Sequence, residues 1–468
     1  MVKSLEGKKI LVLGLGKSGH AAIKLLLKAG ATKVIANDCK ELSSVEKEMK
    51  DFLGLPRVEI VAGGHPETML KGISFIIKSP GINPQLPLLK RAVSLGIPIY
   101  SEIELAYFFS KAPIFGITGT NGKTTTTSLI GEMMKLQYPN VYVAGNIGFP
   151  LSGAVLQATE RDLIVAELSS FQLENTKRFH LHVAAVLNIT PDHLDYHGNE
   201  SNYIAAKRKI LQNQKYSDWA VLNKDNRSVF ELLPFVKGNL LLFSSVEKLN
   251  PGICLQEGNI VINFGAKSYR VCREEEVKIP GRHNLENALA AVAVSWLGGL
   301  EVSKIAQVLK NFPGVPHRLE QVANIRGINF VNDSKGTNPD ATIKALQAIE
   351  QPKILIAGGF NKNSDFKPLF KEMKGTKVKK LVLLGETAAM LAAMARKEGY
   401  EEVITVSELG DAVLKAFAAA LPGDTVLLSP ACASWDMFEN FEERGNKFKE
   451  AVTALREGLD GEKSPHRA

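Results

Sequence analysis

The stretch that most limits what this chain can become is FGITGTNGKTTTTSLI, Phe115 to Ile130. An apolar run stops at a glycine-rich turn, and Gly-Lys-Thr then opens a helical pattern. In such a strand, loop and helix unit, successive backbone N–H groups and a helix N-terminus face one point, which suits an anion. The spacing departs from the common form of the loop. A Walker loop has four residues between its first glycine and the Gly-Lys pair, whereas here five residues separate Gly116 from Gly122, with Gly119 among them. A phosphate ligand is expected, but assignment to motor or GTPase classes is weakened. Lys123 is placed to reach β- and γ-phosphate oxygens, and Thr124 to bring a hydroxyl to Mg2+.

The chain around this loop is long and ordinary in composition. At roughly 150 residues per domain, 468 residues imply about three domains, each large enough to bury its own core. Hydrophobic residues make up 45% and charged residues 23%, as in a soluble globular protein, so disorder is expected only at the polar tail GEKSPHRA. Lys and Arg outnumber Asp and Glu by 57 to 49, a net charge of +8, which by itself admits nucleic acid, an anionic membrane surface or polyanionic small substrates as partners. The excess is spread along the chain, and KVKK near Lys380 reads as a solvated strand entrance. Cys39, Cys254, Cys272 and Cys432 form no C-x-x-C pair, so neither a disulfide framework nor a zinc ribbon is indicated and a cytosolic, reducing setting is expected. MVKSLEGKKILVLG runs into a strand without the apolar region of a signal peptide, and no stretch reaches the roughly 18 apolar residues of a membrane helix.

Short apolar strands alternate with helical patterns three times over. KKILVLG, KVIAN and ISFIIKSPG form a first set; APIFGITGT, VYVAGNIG, DLIVAELSS, VAAVLNIT and WAVLN a second, followed by two short strands around Ile260 and Tyr269 and the helices HNLENALAAVAVSWLG and EVSKIAQVLKNF. After PGVPHR the rhythm restarts with INFVNDSKGTNP, PKILIAGGF, VKKLVLLGE and DTVLLSPACAS, closing on a long helix from about Trp435. Such βα alternation predicts parallel sheets and three consecutive α/β domains, 1–111, 112–313 and 314–468.

Outside the phosphate loop three places carry chemistry. Glu167 ends the strand DLIVAEL, where open α/β sheets present ligand-contacting residues, and can hold the metal or simply cap the segment SSFQLENT. NITPDHLDYHG offers Asp192, His193, Asp195 and His197, either to a metal or to solvent as turn residues. GLGKSG, Gly14 to Gly19, follows a strand, opens a helix and has Asp38 about 20 residues on; it fits NAD(P), another nucleotide, or a turn without ligand.

TGTNGKTTT, AELSSFQLE, NITPDHLDYH, YIAAKRKI, GRHNLENALAA, PHRLE, NDSKGTNPDAT and SPACASWDMFENFEERG, in this order, resemble the Mur ligase family over essentially the whole chain. GLGKSG with KSPGI, and the closing SPACASWDMFENFEERG, resemble its D-glutamate-adding branch. The variant loop spacing is similar to that family's ATP loop. The resemblance implies a Rossmann-like UDP-substrate domain, a central P-loop-type mononucleotide-binding ATPase domain and a C-terminal Rossmann-like amino-acid domain, in a cytoplasmic enzyme of peptidoglycan synthesis. Its implied activity is ATP-dependent amide-bond formation through an acyl phosphate, joining D-glutamate to UDP-N-acetylmuramoyl-L-alanine with ATP and two Mg2+ ions, in a monomer without nucleic-acid partner or membrane insertion.

The resemblance also implies residue roles. Gly119, Thr120, Asn121, Gly122, Lys123, Thr124 and Thr125, with Asn284, Asn287, Arg318 and Asp333, would bind ATP. Thr124, Glu167, His193 and Lys207 would serve the metals, with Lys207 reacting with CO2 to give a carbamate. Gly16, Lys17, Ser18, Asp38, Lys40, Ser79 and Gly81 match the uridine nucleotide site, while Asn146 and His193 would meet the muramoyl part and its carboxylate. Thr337, Lys362, Ser434 and Phe441 would surround D-glutamate, with Lys335 near the phosphate. From the residues alone, Ser434 reads equally as a cap of the last helix, Phe441 as core, and Lys207-Arg208-Lys209 as a solvated cationic helix face. A folylpolyglutamate synthase-like ligase shares the middle motifs, and an NAD-dependent regulator or DNA-associated P-loop protein would explain the charge but leave SPACASWDMFENFEERG without a role.

Overall fold

The computed structural model describes residues 5–279, 281–361 and 364–461. It divides into two compact units, one reaching Phe312 and the other starting at Pro313. The first unit holds two sheets. Strands Lys9–Leu13, Lys33–Asn37, Val58–Val61, Phe75–Lys78 and Ile99–Ser101 are all parallel, in the spatial order third, second, first, fourth, fifth. The chain reverses its direction of travel between the first and fourth strands, so GLGKSG and the turn after Lys78 emerge side by side at the switch point.

The second sheet has nine strands. Its centre sets Ile114–Thr118 between Leu163–Glu167 and Val183–Val186, all parallel and buried along their length. Unbroken apolar runs suit strands covered on both faces. Val141–Gly145 closes one edge; Trp219–Asn223, Asn239–Ser244, Gly252–Gln256, Asn259–Phe264 and Lys267–Arg273 extend the other, the last two antiparallel.

The two sheets are bound into one unit by a shared core: Leu25, Ile103, Ala106, Leu151 and Ala154 belong to a single buried cluster. Buried polar groups cross the same seam. The Glu104 carboxylate accepts the backbone N–H groups of Lys177, Arg178 and Phe179 at 3.0, 2.8 and 2.9 Å.

In the second unit Glu320–Ile325 pairs antiparallel with Ile328–Asn332, and Thr425–Leu428, Lys353–Gly358, Val378–Leu384 and Val403–Thr405 follow in parallel. The last helix spans Phe441–Gly461 and does not begin near Trp435 as the apolar spacing predicts. The Asn440 side chain accepts the Glu443 N–H at 2.8 Å and so supplies the cap, while 435–440 turn. Among the described residues no helix is long and apolar enough to cross a membrane.

Candidate active site

Three adjacent strand ends of the nine-stranded sheet build the phosphate loop's surroundings. The loop leaves Thr118, passes Gly122 at φ 82° and enters the helix Lys123–Met134. A side chain at position 122 is disfavoured twice, by the left-handed backbone and because a Cβ there would stand 2.1 Å from the Asn287 Oδ1, which would have to move. The loop is pinned by the next strand's exit. Asn121 N–H donates to the Asn188 Oδ1 at 2.8 Å, the Asn188 Nδ2 donates to the Asn121 carbonyl at 3.1 Å, and Thr120 N–H donates to the Asn188 carbonyl at 2.8 Å. The Thr120 hydroxyl donates to the Thr190 carbonyl at 3.0 Å and lies 3.0 Å from the Tyr203 hydroxyl.

Two lysines converge on this loop. Lys123 Nζ donates to the carbonyls of Gly119 and Thr120, both at 2.8 Å. Lys207, on the helix Glu200–Arg208, is 2% exposed and donates to the same Gly119 carbonyl at 2.8 Å. Burial holds its ammonium well below the ordinary lysine range, and the neighbouring Lys123 charge lowers it further against Asp192 and Glu167. The solvated-face alternative therefore does not hold for Lys207, and the leading cause of its lowered basicity is desolvation, ahead of the adjacent cations. Arg208 instead stacks over the Phe235 ring at 4.0 Å, and Lys209 donates to the Glu174 carbonyl.

Glu167 is buried at its strand's carboxyl end. Its Oε1 accepts from the Asn146 Nδ2 at 2.8 Å, and its Oε2 is buried without a hydrogen-bond partner. It does not cap the following helix, Ser170–Glu174, whose capping box is Ser169 with Gln172. His193, at φ 51°, precedes the short helix Leu194–His197 and is half exposed, its ring 4.8 Å from that of Phe171. His197 is buried, 3.0 Å from the Ser170 hydroxyl. Among the described residues no three His, Cys, Asp or Glu side chains cluster as a metal cage. A buried, half-satisfied carboxylate on the strand paired with the one that enters the phosphate loop, with Thr124 in the first turn of the helix that leaves it, still fits Mg2+, which takes one or two carboxylates and completes its shell with phosphate oxygens and water.

At the switch point of the first sheet, the Gly19 backbone lies against Gly14: a Cβ at Gly19 would meet the Gly14 carbonyl at 1.9 Å. The Ser79 hydroxyl donates to that carbonyl at 2.9 Å. Gly16 and Lys17 are exposed at the start of the helix Lys17–Lys28, followed by Ser18. Asp38 accepts the N–H groups of Leu15 at 2.8 Å and Lys40 at 3.0 Å; burial raises its pKa, but these bonds and the Lys40 charge outweigh it and bring the net value down. Gly81 and Lys40 are exposed at the same sheet end.

In the second unit, three neighbouring strands again end in the candidate loops. Asp333 accepts from the Ser429 hydroxyl at 2.7 Å, and burial lifts its pKa to about 7 despite Ser429 and the Arg318 charge. Lys335 Nζ lies 5.8 Å from the centre of the Phe441 ring, and Thr337 N–H donates to the Lys335 carbonyl at 2.9 Å. Ser434 is buried and does not cap the last helix; its carbonyl accepts from Met437 and Phe438 at 3.1 and 2.8 Å. Phe441 is half-buried, not core. The expected Lys362 lies outside the described residues. Arg444, buried on the last helix, donates to the Ser334 hydroxyl and carbonyl at 3.0 and 2.8 Å and to the Cys432 carbonyl at 3.2 Å, tying NDSKGTN to SPACAS.

Family models match in the order of these sites: a Mur ligase MurD-like N-terminal domain over 8–101, the Mur ligase middle domain over 117–295 and a Mur ligase glutamate ligase domain over 317–432. The chain belongs to the Mur ligase family. It is 48% identical to a UDP-N-acetylmuramoylalanine–D-glutamate ligase of Thermoanaerobacter pseudethanolicus, covering 97% of this chain and 99% of that one. The enzyme of the same name from Pelotomaculum thermopropionicum is 47% identical over 98% of this chain and 100% of its own. Among solved structures, the MurF ligase of Thermotoga maritima in complex with ADP aligns over 97% of this chain and 98% of that one, with a TM-score of 0.57 at 17% identity, a likeness of fold.

In this Mur ligase, then, Gly119–Thr125, Asn146, Glu167, Lys207 and Asn287 meet around one loop, with Asn284 bonded to Asn287 at 3.1 Å. Gly16, Lys17, Ser18, Asp38, Lys40, Ser79 and Gly81 gather at the end of the first sheet, while Arg318, Asp333, Lys335, Thr337, Ser434 and Phe441 belong to the second unit. Asn188, Tyr203 and Arg444 escaped the sequence reading. For Asn188 a signal was present: it is the first polar residue after the strand run VAAVL.

Proposed function

We propose that this chain is an ATP-dependent ligase that adds D-glutamate to UDP-N-acetylmuramoyl-L-alanine, a step in peptidoglycan precursor synthesis. The observation that carries the reading is near-full-length identity of 48% and 47% with enzymes bearing that name. The chemistry asks two anions to meet: the L-alanyl carboxylate attacks the γ-phosphorus of ATP, ADP leaves, and an acyl phosphate forms. The D-glutamate amine then attacks the acyl carbon, phosphate leaves with the bonding pair, and the amine loses a proton as the amide forms.

Each step asks something of named residues. Backbone N–H groups of Gly119–Thr125 and the Lys123 ammonium receive the phosphates and offset their charge. Thr124 and Glu167 would hold Mg2+, with His193 serving a second ion; bound there, the metal supplies charge neutralisation at the transferring phosphoryl group. Asn287 and Asn284 flank the loop, and Arg318 and Asp333 complete the ATP contacts. The GLGKSG turn, Asp38, Lys40, Ser79 and Gly81 receive the uridine diphosphate, and Asn146 with His193 orient the muramoyl end. Thr337, Lys362, Ser434 and Phe441 hold the amino acid, with Lys335 beside the phosphate. Burial lowers the Lys207 pKa and so favours the free amine that addition to CO2 requires; the resulting carbamate is an anion that would help hold Mg2+. The protein works as a cytoplasmic monomer.

Phosphate release in the presence of ATP, Mg2+ and UDP-N-acetylmuramoyl-L-alanine tests the assignment. Turnover is expected with D-glutamate and not with L-glutamate, because a pocket that fixes two carboxylates and an amine defines handedness. Comparable rates with the two enantiomers, or turnover only with a folate acceptor, would defeat it.

A further inference from the structure

Where the first sheet meets the second, Lys78 ends the strand Phe75–Lys78 with its side chain 2% exposed. A lysine so buried needs partners. Its Nζ donates to the Ile82 carbonyl at 3.0 Å and to the Tyr196 hydroxyl at 3.1 Å, and stands 3.9 Å from the Glu174 Oε2. The Tyr196 hydroxyl in turn donates to that Glu174 oxygen at 2.8 Å. One end of this chain of bonds closes the turn Ser79–Ile82, whose Ile82 N–H also returns to the Ser79 carbonyl at 3.2 Å. The other end reaches the segment that carries His193: Tyr196 N–H donates to the His193 carbonyl at 3.1 Å, and the Phe171 ring packs on both Tyr196 and His193 at 4.5 and 4.8 Å. Glu174, Tyr196 and His197 line an open cleft of about 790 Å³ together with Pro84 and Gln85.

We propose that Lys78 and Tyr196 are positioning residues that fix the nucleotide turn of the first sheet relative to the His193 segment of the second, so that a substrate gripped at its UDP end presents its carboxylate end in register. The inference rests on the reading of Ser79–Gly81 and His193 as two ends of one substrate site. A pure staple between sheets would be felt as lost stability alone. A register device acts on ligands that span both ends and spares those that reach only one.

Tyr196→Phe removes a single hydroxyl and keeps the ring, so it tests the network without emptying the site. Calorimetry with UDP alone and with UDP-N-acetylmuramoyl-L-alanine, beside steady-state kinetics, reads the difference. Tyr196→Phe is expected to bind UDP as wild type does, to bind the full substrate about tenfold more weakly, the weight of one or two hydrogen bonds, and to keep its KM for ATP. Lys78→Met should add little to Tyr196→Phe in the double variant, because the two act through one chain of bonds. Unchanged affinity for the full substrate, an equal loss for UDP alone, or additive losses in the double variant would overturn the proposal. Wild-type enzyme that binds the full substrate but fails to use D-glutamate would instead defeat the proposed function, since binding is read without turnover.

Discussion

Replacing Asn188 by Ala should weaken ATP binding about thirtyfold while leaving the fold and the UDP-substrate site alone. The side chain makes two hydrogen bonds to Asn121, at 2.8 and 3.1 Å, and these hold the middle of the phosphate loop. Each such bond nets about 1 kcal/mol, so the variant loop is released by about 2 kcal/mol and the nucleotide must restore that order on binding. At about 1.4 kcal/mol per factor of ten, the loss is about thirtyfold. The Thr120 bond uses the Asn188 backbone carbonyl and survives the substitution. The ATP dependence of phosphate release at saturating UDP-N-acetylmuramoyl-L-alanine and D-glutamate measures the effect, with the melting temperature as control for folding. A KM for ATP within about twofold of wild type, in a folded variant, would show that the loop is ordered without Asn188 and that these two bonds are incidental.

Three further outcomes are expected. Lys207→Ala should lose most activity and Lys207→Arg should fail to restore it, while removing CO2 and bicarbonate should lower wild-type turnover reversibly; full activity in Lys207→Arg would mean that the residue serves as a simple cation. Glu102, whose Oε2 is buried without a hydrogen-bond partner, has its pKa pushed by burial from 4.5 to about 7. The folded state then holds a proton that the unfolded chain has released, so this contribution is complete below about pH 4.5 and is lost as pH rises to about 7, by up to about 3 kcal/mol; denaturant unfolding of Glu102→Gln should show a flatter profile over that interval, and an unchanged slope would remove Glu102 as the cause. Calorimetry should find UDP and not NAD on the GLGKSG turn, and tight NAD binding with no response to UDP would reverse the reading of the first sheet.

The fold was legible where periodicity and turn residues agreed. Buried parallel strands such as Ile114–Thr118 and Leu163–Glu167 are unbroken apolar runs that end in glycines or acids, and these signals are local. The sequence puts the start of the last helix too early because Trp435, Met437 and Phe438 extend its apolar rhythm upstream, whereas the Asn440 side chain caps the helix after them. The placement of candidate site residues was legible where a motif names the residue, as at Lys123 and Glu167, and illegible where it comes from tertiary burial. KRK reads as a charged surface, yet the helix turns Lys207 inward to the Gly119 carbonyl while Arg208 lies on Phe235. Nothing in FEERG announces that Arg444 is buried between two loops, since its partners Ser334 and Cys432 come from different strand ends.

The shared Gly119 carbonyl adds a second reason, besides burial, for the lowered pKa of Lys207. Both ammonium groups donate to that oxygen at 2.8 Å, so their nitrogens cannot be far apart, and two full positive charges there repel. Lys123 has a second carbonyl partner, Thr120, and is only half-buried. Lys207 is walled in by the Tyr203 ring, 4.7 Å from its nitrogen, and pays the whole cost of desolvation. A neutral amine still donates one N–H to Gly119 and keeps a lone pair. Glu167 and Asp192 pull the other way, because each favours the ammonium. Filling the Glu167 oxygen with a cation would cancel that pull, and the same ion would then reward an anion at Lys207. Metal binding and the proposed carbamate are therefore expected to reinforce each other: bicarbonate should tighten Mg2+ binding in the wild type, and that response should vanish in Lys207→Arg and weaken in Glu167→Gln. A bicarbonate response that persists in Lys207→Arg would separate the two events and leave the lysine's burial without this role.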